Sequence, residues 1–476
     1  MNDITSKKIK SGSFLVIFSN LVLILTNVVK TLIIPMIIVD LKMYSYWQIY
    51  LFYLSYVLIV SLGYNDGFYV KCTGKDTLKD DKDFSIRNSL LFQLLITAII
   101  SVILIILILA LGNGEKKIIY ILIVLNFIPM EFIDISLKIF QANFEMKSFS
   151  VFNVLDKFLF LLMIIFIIPF KKVNWIALII IDIISKILIS MAMLFKLKEY
   201  WIINKIDLKK GIKKWVENVR IGRYILTSSY LLILISGIGR IAIEWIGNVE
   251  DYAFYSLAMS FSNVVNLIIG SMGLILFPIY INMGYERSLE YSNKISKLLL
   301  ILTSIVLISY YPISLFITIF IPRYINSISY LLFILPLTVF KGFSSLIFIP
   351  LMKSGRKEKQ LLYNNGIALL IYLLVIIPMY FLTKSIYCIL VGTICITFIE
   401  LMLNAISLNY DKKNLIYCLI INIIYLFLGY YFKWYVNIVA LILILIVLIV
   451  FNYDEYCNLV NIFLKDLKKE EKNECI

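Results

Sequence analysis

The chain of 476 residues is 61% hydrophobic and only 16% charged, with a mean hydropathy of +0.93, which excludes a soluble globular core and implies a bilayer. Its net charge of +15 does not point to nucleic acid, because the basic residues fall between apolar runs, where they orient a membrane protein and face anionic lipid. Histidine is absent, which excludes HExxH chemistry, a Ser-His-Asp triad and a histidine proton relay; the six cysteines include no CxxC pair for zinc or redox work.

A spanning helix needs about 20 apolar residues. On that measure the sequence predicts an all-α polytopic membrane protein of about fourteen transmembrane helices, at 13–38, 45–69, 88–112, 118–140, 150–170, 174–195, 222–245, 253–281, 297–321, 328–352, 361–382, 385–408, 414–432 and 434–452. The last two lie close together, so about twelve or thirteen spans is the alternative count. The first apolar stretch follows Lys7, Lys8 and Lys10 and runs on to Ile38 with no small-residue cleavage site behind it, so a spanning helix is expected there, not a removable leader.

The longest polar interruption is KLKEYWIINKIDLKKGIKKWVENVR, Lys196 to Arg220, whose interleaved basic and apolar residues suit a helix lying on the inner leaflet. The expected organisation is an N-terminal six-helix bundle (1–195), this amphipathic cytoplasmic linker (196–220), a C-terminal six-helix bundle (221–408), two additional helices (409–452) and a cytoplasmic tail (453–476). LTNVVKTLIIP before YSYWQIYLFYL, and LISGIGRIAIEW before YAFYSLAMSF, form a faint internal repeat, each with one cation in the outer third of its span.

Loop charge gives an orientation. With the N-terminus inside, the inner loops hold Lys71, Lys75, Lys79, Lys82, Arg87, the linker, Lys353 to Lys359, Lys412, Lys413 and the tail. That is roughly thirty basic residues, against roughly eight outside. Both termini are therefore expected in the cytoplasm of a cell with this protein in its plasma membrane. Trp47, Trp175, Trp245 and Trp434 fall at expected outer interfaces, a depth that suits aromatic rings with one polar edge.

Charges inside the spans are the candidate chemistry, because each costs roughly 2.5–3.5 kcal/mol in hydrocarbon unless it meets a partner or a watery cavity. Lys30 has no acid nearby in its own span, and its structural alternative is snorkelling to the interface. Arg240 has the same alternative, or a pairing with Glu244 four residues on. Lys341 sits mid-span between Pro336 and Gly342, where snorkelling is hardest. Glu131, after Pro129, reads as a charge partner of Lys341 or as a carboxyl protonated by burial that couples transport to ions. Asp134 with Lys138, and Asp182 with Lys186, have the spacing of internal salt bridges. Asn65 and Asp66, flanked by Gly63 and Gly67, suit a helix C-terminal turn, with a gate residue as the alternative. Glu400 stays unassigned, and no one of the 32 tyrosines is singled out as a sugar platform.

At this point the residues resemble a family. GRIAIEWIGNVEDYAFYSLAMS at 239–260, LGYNDG at 62–67 and IPRYINSISYLLFILPL at 321–337 look like the polysaccharide and oligosaccharide flippases of the multidrug/oligosaccharidyl-lipid/polysaccharide exporter superfamily. The matching residues are Arg240 to Ile243 and then Phe254 to Ala258; Gly239 stands where the family usually has an acid, and Ala253 where it usually has glycine. The resemblance implies two pseudo-symmetric bundles around a central, commonly cationic cavity, and alternating access. Its implied substrate is a polyprenyl-diphosphate-linked oligosaccharide, moved from the inner to the outer leaflet during surface polysaccharide synthesis. In that reading Arg240, Lys30 and Lys341 bind the diphosphate, Glu131 and Asp134 are coupling residues or charge partners for a proton or sodium ion, and Asp66 is a gate.

No cofactor or metal is expected, nor a nucleic-acid partner; the partners are the lipid-linked oligosaccharide and the surrounding membrane lipids. An ion-coupled multidrug exporter of the same superfamily is the alternative. A membrane glycan polymerase or ligase is disfavoured because no expected outer loop exceeds about ten residues, far short of a domain. No Walker lysine or complete dinucleotide fingerprint occurs, so the chain is read as a non-enzyme driven by an ion gradient or the membrane potential.

Overall fold

The computed structural model describes residues 3–451 apart from 39, 74–83, 113, 168–172, 203–205, 284 and 433. The expected cytoplasmic tail, with Cys457 and Cys475, and the loop lysines Lys75, Lys79, Lys82, Lys171 and Lys172 lie outside the described residues. Every regular element among those described is helical.

The chain forms two compact units, Met1–Gly237 and Ile238–Ile476. The first contains α1 (Asp3–Ile37), α2 (Leu41–Leu54), α3 (Tyr64–Cys72), α4 (Ser85–Leu111), α5 (Gly114–Leu125), α6 (Phe127–Ala142), α7 (Met146–Ile167) and α8 (Trp175–Lys196). Helix α9 (Leu208–Ile246) carries the chain from the first unit into the second. The second continues with α10 (Val249–Met283), α11 (Tyr285–Ile308), α12 (Tyr310–Phe320), α13 (Ser327–Phe343), α14 (Ile349–Ser354), α15 (Glu358–Ile371), α16 (Ile377–Thr383), α17 (Ile386–Leu408), α18 (Lys413–Tyr431) and α19 (Trp434–Phe451).

Among the described residues ten helices are long and apolar enough to cross a membrane, or up to twelve if two bent helix pairs each count as one span. Shorter apolar helices, Leu21–Ile37 and Trp434–Val450, stand at the first and last expected positions. Apolar side chains all round a helix mean lipid on most sides, and the spans differ sharply in that respect. Only 11% of the Ser85–Leu111 span is buried, against 78% of Ser327–Ser354. The span bearing Lys341 is therefore the core of its unit, packed on α10 and α17.

The expected second span is broken, not continuous. Leu62 and Gly63 take positive φ (52° and 88°), and the pair Leu41–Ser61 and Tyr64–Cys72 bends by 58°. Glycine supplies the left-handed turn, so LGYNDG opens a new helix where a helix end was expected. The same glycines let α3 cross α9 at backbone contact: a Cβ on Gly67 would lie 1.9 Å from the Asn218 carbonyl oxygen, and one on Gly222 the same distance from that of Gly63.

The basic linker also differs from a helix lying free on lipid. From Leu208 it is continuous with the following span, and its tryptophans dock into the first unit, Trp201 stacking on Phe132 and Trp215 edge-on to Phe92. Trp245 and Trp434 are exposed, as interfacial rings would be, whereas Trp47 and Trp175 are buried.

Candidate functional site

Each unit holds its own polar constellation within apolar helices. In the second, Lys341 stands one turn before a π-helical segment, Ser344–Phe348, that follows α13 directly. π-helical turns widen a helix and recur at functional positions. Lys341 is partly buried and has no hydrogen bond or ion pair among the described residues. The charges that act on it through space are Arg240, of like sign, and Glu400, of opposite sign. Arg240, on α9, is 8% exposed.

Glu400 on α17 is held by neutral groups. Ser344 Oγ donates to its Oε1 at 3.3 Å and Asn404 Nδ2 at 3.5 Å, while Asn364 Nδ2 donates to Asn404 Oδ1 at 2.8 Å. This chain ties α13, α17 and α15 together beneath Lys341. A second π-helical segment, Tyr372–Ile376, continues α15 and sets Tyr372 against Gly239, the residue before Arg240.

In the first unit Lys30 rests over the Phe160 ring at 4.1 Å, and Phe160 stacks on Trp47 with centroids 5.7 Å apart. Asp182 and Lys186 form the expected ion pair one turn apart on α8, and Tyr50 Oη donates to Asp182 Oδ2 at 2.5 Å. A second pair, Asp156 with Lys157 on α7, was not singled out from sequence. All four of these charges act on Lys30, so three ammoniums face two carboxylates and one positive charge is in excess.

Elsewhere in that unit Glu131 is 1% exposed. Gln93 Nε2 donates to its Oε1 at 2.9 Å, Trp215 Nε1 donates to Gln93 Oε1 at 2.7 Å, and Glu131 Oε2 has no partner. The expected Asp134–Lys138 bridge needs correcting: Lys138 pairs across helices with Asp66 at 2.8 Å, and Asp134 accepts from Asn65 Nδ2 at 2.7 Å. An i,i+4 spacing allows a pair but does not require it when a better-placed acid comes from a neighbouring helix. Lys138 remains close enough for Asp134 to act on it through space. Three carboxyls, Asp66, Glu131 and Asp134, thus share one ammonium.

The structure brings Arg240 and Lys341 into one electrostatic neighbourhood, with Glu400, and brings Glu131, Asp134 and Asp66 into another. Lys30 belongs to the first unit and has a cluster of its own. No group of three or more His, Cys, Asp or Glu suited to a metal ion occurs among the described residues.

No family model matches the sequence, and a search of curated proteins finds no match. Solved structures do share the fold. The lipid II flippase MurJ in an inward closed conformation is similar with TM-score 0.66 and 14% identity, over 93% of this chain and 99% of that one. An inward-facing multidrug resistance MATE family transporter of the MOP superfamily gives TM-score 0.59 and 12% identity, over 81% and 98%. The eukaryotic MATE transporter AtDTX14 gives 0.52 and 10%, over 87% and 98%. At such identities the likeness is one of architecture, and the chain is an all-helical, multi-pass membrane protein with the fold seen in MurJ and the MATE transporters.

Proposed function

We propose that this protein is a flippase that carries a polyprenyl-diphosphate-linked oligosaccharide from the inner to the outer leaflet of the cell membrane by alternating access, with both termini in the cytoplasm. The observation that carries the reading is Lys341: an ammonium in the most buried span of its unit, with no bonded partner among the described residues and a second cation, Arg240, acting on it. Two cations in hydrocarbon are sustained by an anion that arrives and leaves, and a diphosphate supplies more than one negative charge. Lys30, beside the positive cluster of the first unit, gives the headgroup a second station. The fold shared with a lipid II flippase supports the reading.

Glu131 and Asp134 serve as the coupling pair, because a buried region with three carboxyls and one ammonium favours uptake of a proton or sodium ion. Asp66, tied to Lys138 beside the α3 bend, acts as a gate residue in the same reading. These carboxyls are also the observation that favours the second reading, an ion-coupled exporter of cationic drugs.

The experiment is removal of the protein from its native cell, followed by extraction and leaflet assignment of prenyl-diphosphate-linked glycans. Accumulation of a completed unit on the inner leaflet, with loss of surface polysaccharide, is expected. Unchanged lipids together with increased drug sensitivity would move the assignment to the exporter.

A further inference from the structure

Arg240 does not stand alone in its surroundings. Tyr255 on α10 and Tyr372 at the second π-helical segment are fully buried, and neither hydroxyl has a hydrogen-bond partner. Both flank one point: the position of a Cβ on Gly239 would be 3.0 Å from the Tyr372 hydroxyl and 3.5 Å from that of Tyr255. Arg240 acts electrostatically on the Tyr255 hydroxyl, and Tyr255 acts on Tyr372.

An unmet buried hydroxyl is costly, since it has left water without replacing the bond it made there. Two such groups converging beside a guanidinium are therefore unlike tyrosines packed as core. The local field decides what they wait for. Arg240 and Lys341 make the neighbourhood positive, which turns both phenolic O–H groups into donors and favours a ligand that only accepts. A phosphoryl oxygen is such a ligand, and a sugar hydroxyl or an ammonium is not.

We propose that the hydroxyls of Tyr255 and Tyr372 form, with Arg240, a phosphoryl-oxygen site in the C-terminal unit, in which the two tyrosines donate to one phosphate of a prenyl diphosphate. The proposal rests on the flippase reading and assigns it two neutral ligands that charge alone does not reveal. Gly239 belongs to the site by omission: any side chain there enters the space between the two oxygens and also meets Ile389 Cγ2 at 2.7 Å.

The test uses the full detergent-solubilised chain, with farnesyl diphosphate as probe and farnesol as control. Tyr255→Phe and Tyr372→Phe each remove one oxygen and keep the ring. Each is expected to weaken farnesyl diphosphate binding about tenfold to a hundredfold, the worth of a hydrogen bond to a charged group, and to leave farnesol unaffected. Without ligand, both variants should melt at or above the wild-type temperature, because the unmet hydroxyl is gone. A purely structural role for either hydroxyl predicts the opposite shift.

Unchanged diphosphate affinity in both Phe variants, with Arg240→Met still impaired, overturns this site and leaves the flippase reading standing; the hydroxyls then hold a resident water alone. If Arg240→Met also binds farnesyl diphosphate as wild type does, the phosphate reading of Arg240 falls with it.

Discussion

Replacing Lys341 with methionine separates a substrate-binding ammonium from a structural one. The ammonium costs about 2.5–3.5 kcal/mol in hydrocarbon, and Glu400 returns part of that through space without touching it. A thioether of similar length removes the cost, while Glu400 keeps Ser344 and Asn404 as donors. Stability should then stay within about 1 kcal/mol of wild type or rise, as when buried charges give way to apolar groups of similar volume. Losing a charged hydrogen bond to diphosphate removes about 1.5–3 kcal/mol, a drop in transport of about tenfold to a hundredfold. The assay is flipping of a fluorescent prenyl-diphosphate disaccharide in proteoliposomes, read by quenching of the outer leaflet, beside a denaturation curve of the same sample. Transport at the wild-type rate would refute the reasoning. So would a loss of 3 kcal/mol or more in stability, because that is the signature of a broken buried ion pair with Glu400.

Two further outcomes follow from the packing. Asp182→Asn strips Lys186 of its buried counter-charge and should cost about 3–5 kcal/mol, whereas Asp182→Asn with Lys186→Met should recover most of it; thermal unfolding of the pair of variants decides. Gly67→Ala drives a methyl into the Asn218 carbonyl and should destabilise by about 1–3 kcal/mol. Gly366→Ala, whose methyl meets nothing within 4 Å, should be neutral or slightly stabilising in the same assay.

What was legible in the sequence follows from what each feature depends on. Spanning helices depend on local composition, so long apolar runs gave them away, even where Leu62 and Gly63 break one into two. Arg240 and Lys341 stood out because a charge in an apolar run is conspicuous by itself. The Asp182–Lys186 pair is local to one helix and its spacing announces it. The partner of Lys138 is not local: Asp66 lies 72 residues away, and only packing of α3 on α6 could reveal it. Asp156 and Lys157 are chain neighbours, a spacing that points side chains apart on an ideal helix, and so they escaped notice. Glu400 resisted assignment because its bonded partners are neutral. Tyr255 and Tyr372 were hidden among 32 tyrosines; what marks them is a missing bond, which no sequence records.

The two π-helical segments have a consequence for how this chain tolerates change in length. Each accommodates a residue beyond the α-helical repeat, so Ser344–Phe348 is a place where one residue can be lost without shortening a loop. Such a loss restores plain α-helix but turns everything beyond it by about 100° relative to Lys341. The Ile349–Ser354 face would then leave its partners while Lys341 stayed in place. The same holds for Tyr372–Ile376, where a deletion would swing Ile377–Thr383 away from α17. Single-residue gaps placed in these segments when the chain is aligned with relatives are therefore statements about side-chain direction: they decide which residues of the second unit face its polar centre and which face lipid.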